Sequence, residues 1–233
     1  MMPVSSPTEI YIFVGPPGSG KGSLASICFE RIGWEMLSTG NLCRKHIAEQ
    51  TEIGQEIDFA IKSGKLVSDE LISQMVAQWF VGKSGQEKAV ILDGYPRTLR
   101  QAETFDNLLK NSSQKLKLYI VQLMVSDETV VERLSFRFMC SNKECQAVYS
   151  IHAGSLCAPK IEGRCDRCNC LLVRRVDDEA AAIRKRLQVY YQHAKDLLSF
   201  YDKMGYSIVK IDVEKPLELV FEDFAKHIGV ASI

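Results

Sequence analysis

Residues 10–14, IYIFV, are apolar without a break and end at Gly15. A short run with no polar alternation is the pattern of a strand buried on both faces. AVILD at 89–93, LYIVQLMV at 118–125 and YSIVKID at 206–212 repeat it. Between these runs the spacing becomes helical: Leu24, Ala25, Ile27, Cys28 and Ile32 fall on one face. Ser68 before Asp69 and Glu70, and Ser126 before Asp127 and Glu128, place a capping hydroxyl and favourable negative charge at two helix starts. A long helix is predicted from about Asp177 to Lys203, stopping at Gly205. Strands alternating with helices predict an α/β fold, a parallel sheet covered by helices on both faces.

Residues 138–176 break this alternation. They are rich in Cys, Gly and Pro, with short extended pieces such as AVYSI, and read as an inserted small domain. The chain shows no internal repeat and no low-complexity tract.

Composition narrows the functions open to such a fold. The 233 residues are 46% hydrophobic and 25% charged, ordinary for a soluble protein able to bury a sizeable core. The 29 Lys and Arg balance the 29 Asp and Glu. A net charge of zero argues against broad nucleic-acid or anionic-membrane binding. No apolar run approaches the roughly 18 residues of a membrane span. The start, MMPVSSPTE, carries no basic or apolar targeting segment, so a cytoplasmic address is expected, with a receptor-read organelle signal also compatible. Nothing suggests a large apolar interface, and a monomer is expected.

The glycine-rich stretch that follows the first strand, GPPGSGKGSL at 15–24, carries the first chemical signal. Gly15, Gly18, Ser19, Gly20 and Lys21 fit the phosphate-cradling pattern GxxxxGK, set between a strand and a helix as that loop requires. Backbone N–H groups there point at phosphate oxygens, and the helix N-terminus adds positive potential. Lys21 is placed to follow a transferred phosphate. The hydroxyl that normally comes next is displaced: Gly22 stands there, and Ser23 supplies it one residue later. A glycine turn that binds nothing is the alternative, and the full Gly-Lys spacing speaks against it.

That variant loop resembles the form found in nucleoside monophosphate kinases. STGNLCR at 38–44, GKLVSDEL at 64–71, LDGYPRTLRQAE at 92–103 and RRVDDEAAAIRKRL at 174–187 extend the likeness. In order and spacing the five stretches resemble the adenylate kinase family in its long-lid form, from about residue 10 to about 216. The resemblance implies a core from residues 1–37, 70–136 and 179–233, an AMP-binding segment at 38–69 and a lid at 137–178. It implies reversible phosphoryl transfer, ATP + AMP giving two ADP, with magnesium. ATP, AMP and ADP are the partners, and neither nucleic acid nor membrane is one.

The resemblance also assigns residues. Arg97, Arg133, Arg137, Arg175 and Arg186 match the phosphate-clamping set, whereas Arg174 and Arg184 read as surface charges. Arg133 and Arg137, four apart, are expected on one helix face. With the phosphate loop, Val148, Tyr149 and Lys215 match donor-binding positions. Thr39, Arg44, Lys65, Leu66, Val67, Gly94, Tyr95, Pro96, Arg97, Gln101, Arg175 and Arg186 match the AMP site, Arg44 at the phosphate and Gln101 at the adenine edge. Thr39 also suits a helix-start hydroxyl. Asp93 ends a strand where a magnesium-organising acid sits in this loop class; an Asp before Gly also forms turns. The acceptor phosphate is already ionised, so the chemistry asks for cations and alignment and needs no general base.

Eight cysteines in a chain with no secretory segment suggest thiols or metal ligands rather than disulfides. Cys140-x4-Cys145, then nineteen residues, then Cys165-x2-Cys168 is the spacing of a closed structural zinc site, against reduced thiols without metal. Cys170 is a rival fourth ligand, Asp166 a weaker one, and Cys157 is spare. Cys28 and Cys43 read as packing residues. Long lids with four zinc ligands occur in the family. This lid departs from the common pattern at Tyr149-Ser150, at LCAPK 156–160 and at Phe138, changes that bear on the donor base and leave the phosphate clamp intact. GTP:AMP phosphotransfer is therefore the nearest alternative. A UMP/CMP kinase fits the long lid less well, and a nucleotide-binding module without catalysis would have lost Lys21 or an arginine.

Overall fold

The computed structural model describes residues 8–62, 67–81, 89–112, 116–152, 155 and 157–229. The expected AMP-site residues Lys65 and Leu66 lie outside the described residues. In chain order the elements are β1 (Thr8–Val14), α1 (Lys21–Ile32), β2 (Glu35–Ser38), α2 (Thr39–Ala48), α3 (Glu52–Lys62) and α4 (Asp69–Val81). Then come β3 (Ala89–Asp93), α5 (Leu99–Lys110), β4 (Leu116–Met124), α6 (Asp127–Ser135), β5 (Arg137–Cys140), β6 (Val148–Ser150) and β7 (Leu172–Arg174). A 3₁₀ turn at Val176–Asp178 leads to α7 (Ala180–Lys203), β8 (Ile208–Asp212) and α8 (Leu217–Ile228).

Five strands form one parallel sheet in the order β2-β3-β1-β4-β8, with β1 at its centre. The central strand shows why its sequence is uninterruptedly apolar. Ile10, Ile12 and Val14 face a core shared with α4, α5 and α7, while Tyr11 and Phe13 face a second core under α1 and α8. Each such side chain, once fully buried, contributes about 1.5–3 kcal/mol. Tyr11 stacks on Trp34 at 4.5 Å and on Tyr119 at 4.8 Å, which locks the strand to its neighbours on that face. Helices on both faces of an all-parallel sheet are the expected α/β architecture.

Residues 137–174 build a separate three-stranded antiparallel sheet, β6-β5-β7, around the cysteines. Among the described residues no helix is long and apolar enough to cross a membrane.

Several boundaries differ from the sequence reading. β2 was not expected: only Leu37 of its four residues is buried, too little for a pattern. The long helix starts at Ala180 rather than Asp177, because Val176–Asp178 winds as a 3₁₀ turn. Its end holds, with Gly205 at φ 81° after it. β8 starts at Ile208. Arg133 and Arg137 do not share a helix face. α6 stops at Ser135, so Arg133 lies in its last turn and Arg137 opens β5.

Candidate functional site

The candidate residues gather at the C-terminal ends of the parallel strands, where open α/β sheets generally bind ligands. β1 runs into the phosphate loop, β2 into Ser38-Thr39, β3 into Asp93-Gly94, and β8 into Val213 and Glu214. The register sets Phe13 beside Asp93 and Ser38 beside Asp93, so three loops converge on one edge.

In the phosphate loop, Gly18 and Gly20 adopt φ 78° and 89°, the left-handed region that favours glycine. A side chain on Gly18 would also meet Leu134 at 2.8 Å. The Lys21 ammonium folds back over the loop and donates to Gly15 O and Pro16 O, both at 2.8 Å, and to Ser19 Oγ at 3.2 Å. Burial pushes Lys21 down to about 8; Asp93 opposes the shift, and Arg97, Arg186 and Arg137 add to it. Gly22 explains the displaced hydroxyl. A Cβ there would lie 3.3 Å from Asp93 Oδ2, so the bare backbone leaves room beside the carboxylate. Asp93 also accepts from Ser38 Oγ at 3.1 Å. A carboxylate with neighbouring hydroxyls is an oxygen donor set that suits magnesium.

Facing the loop is a group of arginines ordered by acids. Asp178 is fully buried and binds Arg137 through both oxygens, at 2.7 Å to Nε and 2.6 Å to a terminal nitrogen. Arg186 donates to Asp178 at 3.0 Å and pairs with Asp177 at 3.1 Å. Burial is the largest cause holding Arg44, Arg175 and Arg186 below the usual guanidinium range, and the charge of Arg137 lowers each further. Guanidinium groups stay charged in proteins, so cations crowded this way favour an anion between them. Asp177 and Asp178 are among the site residues that the sequence alone does not assign. They stand inside RRVDDEAAAIRKRL, and two acids among arginines at a helix start were the available signal.

On the other side of the loop, Gly94 sits at φ 82°, and a Cβ on it would lie 2.8 Å from Arg97 and 3.0 Å from Thr39 Oγ1. Arg97 Nε donates to Gly94 O at 2.8 Å, and Thr39 Oγ1 donates to the same oxygen at 2.9 Å. The helix cap is Ser38 rather than Thr39. Each end of the Gln101 amide makes one hydrogen bond. Its Oε1 accepts from Arg97 N at 2.8 Å, and its Nε2 donates to Asp69 Oδ1 at 2.7 Å. Asp69 also accepts from Thr98 Oγ1, which fixes the direction of the amide. Tyr95 is buried with Pro96 beside it, and its hydroxyl donates to Ser73 Oγ. Val67 packs on the larger core. Arg44 Nε donates to Gln146 Oε1 at 3.0 Å.

Arg133 donates to Val213 O at 2.6 Å and lines a cavity of about 480 Å³ with Phe136, Ser150, His152 and Glu214. Val148 is exposed, whereas Tyr149 is buried, its hydroxyl oxygen 3.4 Å from Cys165 Sγ and accepting from Asp166 N. Lys215 pairs with Asp223 at 2.7 Å, and Ser23 is partly buried in the first turn of α1. Arg174 and Arg184 are exposed.

The four sulfurs of Cys140, Cys145, Cys165 and Cys168 lie within 4.8 Å of one another. Cys140 and Cys168 are 3.3 Å apart and Cys145 and Cys165 3.6 Å. Thiolates around one tetrahedral zinc would be separated by about 3.8 Å, so the set fits that ion with little adjustment. Asn142 N already donates to Cys140 Sγ. Cys170 lies outside the foursome, and Asp166 accepts from Lys160 N. Cys157 is exposed, and Cys28 and Cys43 are buried on α1 and α2. None of the eight cysteines is in a disulfide.

A phosphate loop after the central strand of a parallel sheet, with cations facing it, defines a phosphate-loop nucleotide-binding protein. The adenylate kinase family profile matches residues 13–206. The chain is 36% identical to the adenylate kinase of Archaeoglobus fulgidus over 212 residues, 91% of this chain and 94% of that protein. It is 35% identical to the adenylate kinase of Methanothrix thermoacetophila over 92% of this chain and 96% of the relative, and 35% identical to that of Clostridium tetani over 94% and 97%. The chain belongs to the adenylate kinase family.

Proposed function

We propose that the chain is an ATP:AMP phosphotransferase that interconverts ATP and AMP with two ADP, and that the residues gathered at the sheet edge carry the reaction. The observation that supports this most is the approach of Arg97, Arg137 and Arg186 to Lys21, with Arg175 in turn beside Arg137, a set of cations only partly balanced by Asp93, Asp177 and Asp178. It is a site short of negative charge, and polyphosphate supplies it.

In this reading Lys21 exchanges its loop carbonyls for phosphate oxygens and follows the transferred group. Arg137, Arg175 and Arg186 hold the equatorial oxygens, and Asp178 keeps two of them aimed. Arg44 and Arg97 hold the AMP phosphate. Gln101, with its amide direction set by Asp69, offers one N–H and one lone pair to the adenine edge. Because the attacking oxygen belongs to an ionised phosphate, no side chain has to remove a proton. Asp93 and Ser23 are the residues that would hold magnesium, which would supply positive charge to offset the phosphates. Arg133 and the cavity beside Phe136 and His152 would take the donor base. Closure of residues 137–178 and 38–69 over the core would exclude water. Cys140, Cys145, Cys165 and Cys168 would hold a structural zinc with no open position. The chain is proposed to act in the cytoplasm as a monomer.

Because the donor-base cavity differs most from the common family pattern, GTP is the donor to compare with ATP. A panel of ATP and GTP against AMP, GMP, CMP and UMP tests the reading. ATP with AMP is expected to give the highest kcat/KM; preference for GTP, or for UMP and CMP, would overturn the assignment. Nucleotide binding with no transfer would favour a binding module.

A further inference from the structure

We propose that Gln146 is a positioning residue for Arg44, a contact made from the cysteine-bearing segment across to the segment that grips AMP. The inference rests on the reading of Arg44 as the AMP phosphate ligand.

Gln146 directly follows Cys145 and adopts φ 45°, a left-handed backbone that favours glycine. A glutamine kept in that conformation invites a reason, and its side chain gives one. Oε1 accepts from Arg44 Nε at 3.0 Å, while Nε2 donates to Lys143 O at 3.1 Å. Both ends of the amide are therefore fixed, with the oxygen toward the guanidinium. The turn itself is braced, since Gln146 N donates to Asn142 O and Glu144 N to Asn142 Oδ1.

A second bond from the same turn reaches the same helix. Lys143 Nζ donates at 2.8 Å to Ala48 O, in the last turn of α2, where helix carbonyls lack partners and a cation is favoured. Lys143 and Gln146, on either side of Cys145, thus reach α2 at two points, Ala48 and Arg44.

The neutrality of Gln146 matters. Arg44 is also held by Asn41 Oδ1, another neutral oxygen. A carboxylate in either place would cancel part of the charge meant for a phosphate. Two amide oxygens instead aim the guanidinium and leave its charge available. Since Gln146 sits on β5-β6 connecting chain and Arg44 on α2, the bond exists only while these two segments lie together. AMP binding and apposition of the segments then favour each other.

Gln146→Gly tests this, because glycine suits φ 45° and should preserve the fold. The melting temperature is expected to hold or rise. KM for AMP is expected to rise roughly five- to tenfold, below the full value of a hydrogen bond to a charged group because Asn41 still holds the guanidinium, with KM for ATP and kcat within about twofold. Lys143→Met should raise KM for AMP by roughly twofold. An unchanged KM for AMP in Gln146→Gly would overturn the proposal while leaving the proposed function standing. So would equal rises for both nucleotides with a lower melting temperature, which mark a merely structural role. A wild-type protein that transfers no phosphate to AMP would overturn the proposed function itself, and this inference with it.

Discussion

Asp178 holds Arg137 in a two-point grip, 2.7 and 2.6 Å, with the carboxylate wholly removed from solvent. A third bond ties Arg186 to the same carboxylate at 3.0 Å. One acid thus orients two guanidinium groups whose origins are far apart in the chain, the start of β5 and the second turn of α7. Bidentate geometry fixes a plane as well as a distance.

Asp178→Asn should therefore lower kcat by at least roughly tenfold, since the amide NH2 cannot accept from Arg137 Nε, the two-point grip is lost and the charge that holds both arginines is gone. Removing the negative member of a buried pair should also cost stability, on the order of 3–5 kcal/mol at most. Steady-state kinetics beside a thermal melt checks both. Unchanged kcat would mean that the arginines orient themselves.

Lys21 sets an alkaline limit. Burial pushes its ammonium down to about 8, from the ordinary 10.5, so the free protein loses this charge above about pH 8. Phosphates raise it again once bound. kcat/KM for ATP should fall above pH 8, whereas kcat should persist to higher pH. Across pH 8 to 10.5 the unfolded chain keeps a proton that the folded one has released, so this group adds stability as pH rises. Lys21→Met should accordingly melt no lower than the wild type at pH 7, and a large fall would contradict the buried-cation account.

Metal removal should act on one part of the molecule. Chelation is expected to release about one zinc per chain and to lower the melting temperature, because the β6-β5-β7 sheet has a small core made largely of the cysteines themselves. The parallel sheet should keep its circular dichroism. Cys168→Ser should mimic chelation and Cys170→Ser should not; the reverse ranking would move the fourth ligand to Cys170.

Much of this was legible before any coordinates. The fully buried strands announce themselves because both faces are covered, as IYIFV and AVILD show. The phosphate loop is legible because its glycines obey backbone conformation rather than local packing. β2 was hidden, since only Leu37 meets the core. Arg133 and Arg137 were misjudged because their spacing of four mimics a helix, and nothing local marks the stop at Ser135. Asp178 has a local signal in its run of acids among arginines, but Asp69 and Gln146 have none, for a common reason. Each acts on a residue brought near only by the fold, and sequence spacing carries no sign of such a partner. The cysteine spacing left Cys168 and Cys170 undecided, and the sulfur positions favour Cys168.

The most direct measurement is ADP disproportionation with magnesium by the purified chain, beside Lys21→Met. The account predicts rapid formation of equal ATP and AMP by the wild type and a loss of roughly a hundredfold or more in a folded variant. No conversion by the wild type, or near-equal rates in the two proteins, would contradict it.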